Sequence, residues 1–158
     1  MRVEQTLLKR GDTFQLLDGL RAIEPGLLLV FGAVELLKEY TSSITNPFPG
    51  AIRIGCSTAG EISGQGVTDD TCVVTAIHFD SVPLVEAATR LVDMADSHAA
   101  GVRLSRQLPL PGLRAVLRFG QNALLTGLYS NGEISPFTGG VGCKLHNQTM
   151  TITVMGEA

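Results

Sequence analysis

The sequence predicts an α/β fold: a mixed sheet with helices packed on it and a strand-rich C-terminal part. Three observations lead there. Apolar runs of strand length alternate with stretches whose apolar residues recur at helical spacing. Short connections separate them, drawn from a total of 18 Gly and 7 Pro. The last stretch alternates polar and apolar residues with period two, as a half-buried strand does.

Taken in order, Phe14, Leu16, Leu17 and Leu20 predict a short helix over Thr13 to Ala22, closed by Pro25-Gly26. Leu27 to Phe31 is a continuous apolar run, the pattern of a strand covered on both faces. Val34 to Tyr40 reads as a helix, and a polar loop follows through Asn46-Pro47-Phe48-Pro49-Gly50. Ala51 to Gly55 is the second strand and ends at the turn Cys56-Ser57-Thr58-Ala59-Gly60. Cys72 to Phe79 and Leu84 to Val92 are the third and fourth. Ala95 to Leu108 is helical in spacing and stops at Pro109, and Leu113 to Leu117 is again strand-like. Thr149 to Val154 closes the chain with Met150, Ile152 and Val154 on one face. This alternation of strands and helices over short connections indicates a layered α/β domain.

Composition narrows the function. The 158 residues suffice for a hydrophobic core, with 44% hydrophobic and 17% charged residues. The net charge of -3 and the lack of a Lys/Arg run exclude the basic stripe that nucleic-acid binding needs. Residues Met1 to Leu17 mix charge and apolar side chains too finely for a signal-peptide core. No apolar run is long enough for a membrane span. Three widely spaced cysteines, Cys56, Cys72 and Cys143, argue against a disulfide framework and for a reducing, cytoplasmic setting.

One pattern occurs twice. Gly55 to Ser63 and Gly127 to Ser135 share Gly-x-x-[Ser/Thr]-x-Gly-Glu-Ile-Ser, each after a short apolar strand candidate. Small polar residues before a Gly make a turn whose backbone N–H groups can face a ligand. The candidate binding residues are therefore Cys56, Ser57, Thr58, Gly60 and Glu61 in the first turn, with Ser130, Asn131 and Glu133 in the second. The alternative is strand-to-turn punctuation used twice, with Glu61 and Glu133 solvated or capping.

The same residues carry a family resemblance. AIRIGCSTAGEIS, from Ala51 to Ser63, resembles the signature turn of the N-terminal FIST region. LYSNGEISPF, from Leu128 to Phe137, and CKLHNQTMTIT, from Cys143 to Thr153, resemble the closing signature of the C-terminal FIST region. The resemblance implies an intracellular bacterial sensory domain that binds a small ligand such as an amino acid. It implies as partner a histidine kinase or a cyclic-di-GMP enzyme, and in some members haem b as a nitric-oxide sensor. Family members are considerably longer, so residues 1–117 read as a partial N-terminal region. Residues 118–158 read as the end of the C-terminal region, the two packed as one unit. Such a shortened chain could be a deletion remnant that completes its core as a homodimer.

The remaining candidates concern chemistry. His146 shares parity with Met150, Ile152 and Val154, so on an extended final strand it would face the covered side as a haem ligand. It could equally be a structural histidine, with Asn147 and Gln148 fixing a turn or holding a ligand's polar group. His78 reads as a satisfied strand residue and His98 as solvent-facing. Cys143 and His146 stand close enough for zinc but lack a second tight pair. Gly55-Cys56-Ser57-Thr58-Ala59 approaches a nucleophile elbow, with Ala59 where the second Gly belongs. A Cys/Ser–His hydrolase would need His146 as its base. The leading expectation is a binding module and not an enzyme.

Overall fold

A computed structural model describes residues 1–90, 95–108, 113–118 and 149–156. The chain divides into two compact units, Met1–Asp80 and Ser81–Ala158. In the first, strands β1 (Arg2–Lys9), β2 (Leu27–Gly32), β3 (Ile52–Ser57) and β6 (Thr71–His78) form one sheet in the order β1-β6-β2-β3. A hairpin of β4 (Glu61–Ser63) and β5 (Gly66–Thr68) stands beside it as a separate two-stranded sheet. The sheet is mixed, as the sequence predicts. β2 and β3 run parallel, while β6 is antiparallel to both β1 and β2.

Parallel neighbours require a crossover. Here it is helix α2 (Val34–Thr45), which buries Leu36, Tyr40 and Ile44 at four-residue spacing, one stripe of an amphipathic helix. A 3-10 turn (Phe14–Leu17) leads into α1 (Asp18–Arg21) and adds Leu17 and Leu20 to the same layer. These side chains meet Leu8, Leu28, Cys72, Val74 and Ala76, so the helices cover one face of the sheet. Tyr40 also fastens the strand to its turn. Its hydroxyl donates to the Lys9 carbonyl at 3.0 Å and accepts the Gly11 N–H at 2.8 Å. In β2 the successive residues Leu27 and Leu28 are 2% and 0% exposed, so both faces are covered at the strand's start, as its apolar run predicts.

β2 and β3 approach closely because Gly55 lies opposite Val30. A Cβ on Gly55 would fall 1.7 Å from the Val30 carbonyl oxygen, so no side chain fits there. Gly32 is similarly confined, with Thr71 O and Cys72 Cα within 3.0 Å of where its Cβ would stand.

In the second unit, β7 (Leu84–Arg90), β9 (Thr149–Gly156) and β8 (Leu113–Arg118) form a three-stranded sheet in that order, all antiparallel. Helix α3 (Ser97–Ser105) is tied to β7 by Arg103. Its guanidinium forks onto both oxygens of Asp96, at 2.8 and 2.7 Å, and reaches Thr89 Oγ1 at 3.2 Å. Charge-assisted, planar pairing of this kind holds geometry as well as charge. Ala87, Ala100, Leu104, Leu108 and Val116 are buried in this unit.

Three elements had no counterpart in the sequence reading: β1, β4 and β5. The alternation within β1 is broken by charges, and β4 and β5 have three residues each.

Two glycine substitutions separate close approach from open space. Gly55→Ala must push β2 from β3 and should cost about 3 kcal/mol or more in chemical denaturation. Gly19→Ala, in α1 with nothing within 4 Å of its Cβ position, should instead stabilise by about 0.5 kcal/mol. Equal effects would contradict the β2–β3 geometry.

Candidate functional site

The C-terminal ends of β2 and β3 and the start of β6 converge at one end of the first sheet. Backbone bonds extend the strands there. Thr58 N–H donates to the Gly32 carbonyl at 3.0 Å, and Ala33 N–H donates to the Thr71 carbonyl at 2.9 Å. Beyond Ser57 the chain turns through Thr58, Ala59 and Gly60 into the β4–β5 hairpin.

Glu61 holds that turn. It is 2% exposed, and burying a carboxylate is costly unless hydrogen bonds replace its water. Thr58 Oγ1 donates to Oε1 at 2.6 Å. Thr71 gives both its N–H, at 3.2 Å, and its hydroxyl, at 2.7 Å, to Oε2. Thr68 Oγ1 lies 2.8 Å from Thr71 Oγ1 and, with the Thr71 proton committed to Glu61, is the donor of that pair. One carboxylate therefore joins the exit of β3, the hairpin and the entry of β6.

The predicted residues of the first turn are thus brought together in distinct settings. Ser57 and Thr58 are half-buried, Ala59 and Gly60 are exposed, and Cys56 is buried. The Glu61 carboxylate is directed inward to the threonines and not to solvent. Cys56 is disulfide-bonded, which corrects the expectation of unpaired thiols and removes its sulfur as a nucleophile. Ser130, Asn131, Glu133, His146 and Asn147 lie outside the described residues, so the second turn and the histidine on which haem or hydrolase chemistry depends are not placed. Thr68 and Thr71 were missed by the sequence reading. Their only signal was proximity to the turn, since pairing with Glu61 depends on how the hairpin folds back.

Cys72 is a free thiol with no exposure, beside this network. Burial, and then the nearby Glu61 charge, push it up to about 12. It is therefore protonated at neutral pH and behaves as a small hydrophobe. His78 is satisfied, its Nδ1 donating to the Glu24 carbonyl at 2.8 Å, and His98 is exposed, both as predicted. A surface depression of about 300 Å³, lined by Arg21, Glu24, Phe48 and prolines 25, 47 and 49, lies at the opposite end of the strands and includes none of the turn residues. Among the described residues, no group of acidic, His and Cys side chains is arranged to hold a metal ion, and no helix is long and apolar enough to cross a membrane.

These features define an α/β domain that presents a strand-end turn fixed by a buried carboxylate. The chain belongs to the FIST family: the FIST N domain model matches residues 26–157. FIST domains are a family of sensory domains associated with signalling proteins. No curated protein matches the chain. Among solved structures it is similar to a cyanuric acid hydrolase from A. caulinodans, with TM-score 0.47 and 10% identity over 99% of this chain and 67% of that one. It is also similar to a chorismatase, with TM-score 0.43 and 14% identity, covering 99% of this chain and 54% of that one.

Removing the Glu61 acceptor should be felt throughout the turn. Glu61→Ala leaves the Thr71 N–H and two hydroxyls facing a void and should cost about 3 kcal/mol in chemical denaturation. Glu61→Gln, which keeps one acceptor oxygen, should cost less. Cys72 should resist a thiol reagent in the native protein and react on unfolding. Fast native labelling would contradict its burial.

Proposed function

We propose that the chain is the ligand-binding part of a sensory module, with its site at the Ser57–Gly60 turn and not in a catalytic centre. The observation that carries this is the inward-held Glu61, which fixes the turn at the C-terminal ends of two parallel strands. Open α/β sheets place ligands in that position. Half-buried Ser57 offers a hydroxyll-sized polar contact there, and the exposed backbone of Ala59 and Gly60 allows close approach. The first turn of α2 starts at the same end, with no side-chain cap on Ala33. A small polar ligand, an amino acid being the class that the family resemblance suggests, fits donors of this kind. Binding shifts the population of turn conformations, and a partner histidine kinase or cyclic-di-GMP enzyme reads the change by contact.

Thermal unfolding with each common amino acid tests the reading. A ligand at about a hundred times its dissociation constant should add about 2.7 kcal/mol of stability. Ser57→Ala should reduce that increment and leave the ligand-free midpoint within about 1 °C. An increment unaffected by Ser57→Ala would move the site elsewhere, and no increment with any amino acid would sink the ligand class.

A further inference from the structure

Among the described residues β1 is the end strand of its sheet, with no strand on its far side, and its composition selects an occupant. Lys9 turns its main chain away from β6: its N–H donates to Asp12 Oδ2 at 2.7 Å, and its carbonyl accepts from Asp12 N–H and from Tyr40. On the other side of the ladder, the carbonyls of Thr71 and Ile77 accept bonds from the β2 side, from Ala33 and Gly26. The even residues of β6 therefore face β1, and their register partners are Arg2, Glu4, Thr6 and Leu8. Both observations leave Val3, Gln5 and Leu7 with N–H and C=O groups pointing outward, because these groups alternate along an antiparallel strand.

Edge strands are ordinarily blunted by shortness, proline, a bulge or charged side chains, and of these β1 carries only the charges of Arg2, Glu4 and Lys9. β1 has eight residues, no proline and an unbroken register with β6. Its far end is closed, since the Lys9 groups are already bonded. Val3, 49% exposed, adds an apolar side chain to this edge.

We propose that β1 is a dimerisation strand, pairing antiparallel with β1 of a second copy about a two-fold axis at Gln5. Only this register pairs the three outward residues entirely among themselves: Val3 opposite Leu7, Gln5 opposite Gln5 and Leu7 opposite Val3. It sets apolar Val3 against apolar Leu7 twice, a cross-strand pair that stabilises sheets. Arg2 then lies opposite Leu8 and Glu4 opposite Thr6, so no like charges face each other directly. Moving the axis one residue toward the N-terminus brings Glu4 opposite Glu4. Moving it one residue the other way demands the Lys9 groups that Asp12 and Tyr40 occupy. The product is one continuous sheet of eight strands across two chains.

Sedimentation equilibrium of the full chain tests this, together with two edge variants and one cross-link. The chain should be dimeric at micromolar concentration. Val3→Pro removes an outward N–H without touching the β6 ladder and should weaken the dimer at least about tenfold, with circular dichroism unchanged. Val3→Lys should weaken it as well while keeping the backbone donor, which covers the case where the proline variant fails to fold. In the stated register two Gln5→Cys residues lie about 5.5 Å apart at Cα, within reach of a disulfide, so mild oxidation should trap the dimer. Lys9→Cys should not be trapped. A chain monomeric at all concentrations would overturn the proposal. So would a dimer indifferent to both Val3 variants, or trapping through Lys9→Cys and not Gln5→Cys.

Discussion

The hydrogen bonding of one buried carboxylate organises the functional end of the first unit. Without partners, Glu61 would carry a large desolvation cost. Thr58 and Thr71 supply three donors from two strands' ends, and this replacement of water fixes where those ends stand. The same charge adds to the burial that keeps the Cys72 thiol protonated. The shape of the Ser57–Gly60 turn, the anchoring of the hairpin and the inertness of the nearby sulfur thus share one physical origin.

Legibility in the sequence followed how local each element's cause is. β2 and α2 were readable because a five-residue apolar run and a four-residue repeat are complete signals in themselves. α2 nonetheless runs on to Thr45, past the expected end at Tyr40, because Ile44 continues the buried stripe beyond the polar Thr41-Ser42-Ser43 stretch. β1 was not readable. Its Val3 is separated from Leu7 and Leu8 by Glu4, Gln5 and Thr6, and it is a strand because β6 offers a ladder, not because its own pattern demands one. β4 and β5 are shorter still, and their Ile62 and Val67 are 77% and 78% exposed, the reverse of what an apolar residue signals in a core.

The candidate site shows the same division. The turn was legible as a cluster of small polar residues before a Gly, but the direction of Glu61 was not. A carboxylate in a loop is ordinarily solvated. This one is internal because Thr71, ten positions later, returns beside it through the hairpin. Cys56 likewise gave no local sign of its bonding, since an odd number of spaced cysteines reads as unpaired thiols. In the second unit the Arg103–Asp96 fork was invisible for a related reason: seven residues of helix bring the two groups together.

The pairing of β1 with β6 has a bearing on how the chain acquires its structure. Gln5 and Thr75 meet across 70 positions, while β2, α2 and β3 are consecutive. Closing so long a loop carries an entropic cost that is recovered only when the ladder forms. During synthesis the first strand therefore emerges long before its template. It stays without its ladder partner until β6 has been made. β1 is thus made before the strand that places it. Over that interval its full length is available to whatever extended chain lies nearby, which makes the emergence of β6 a timing step for correct folding.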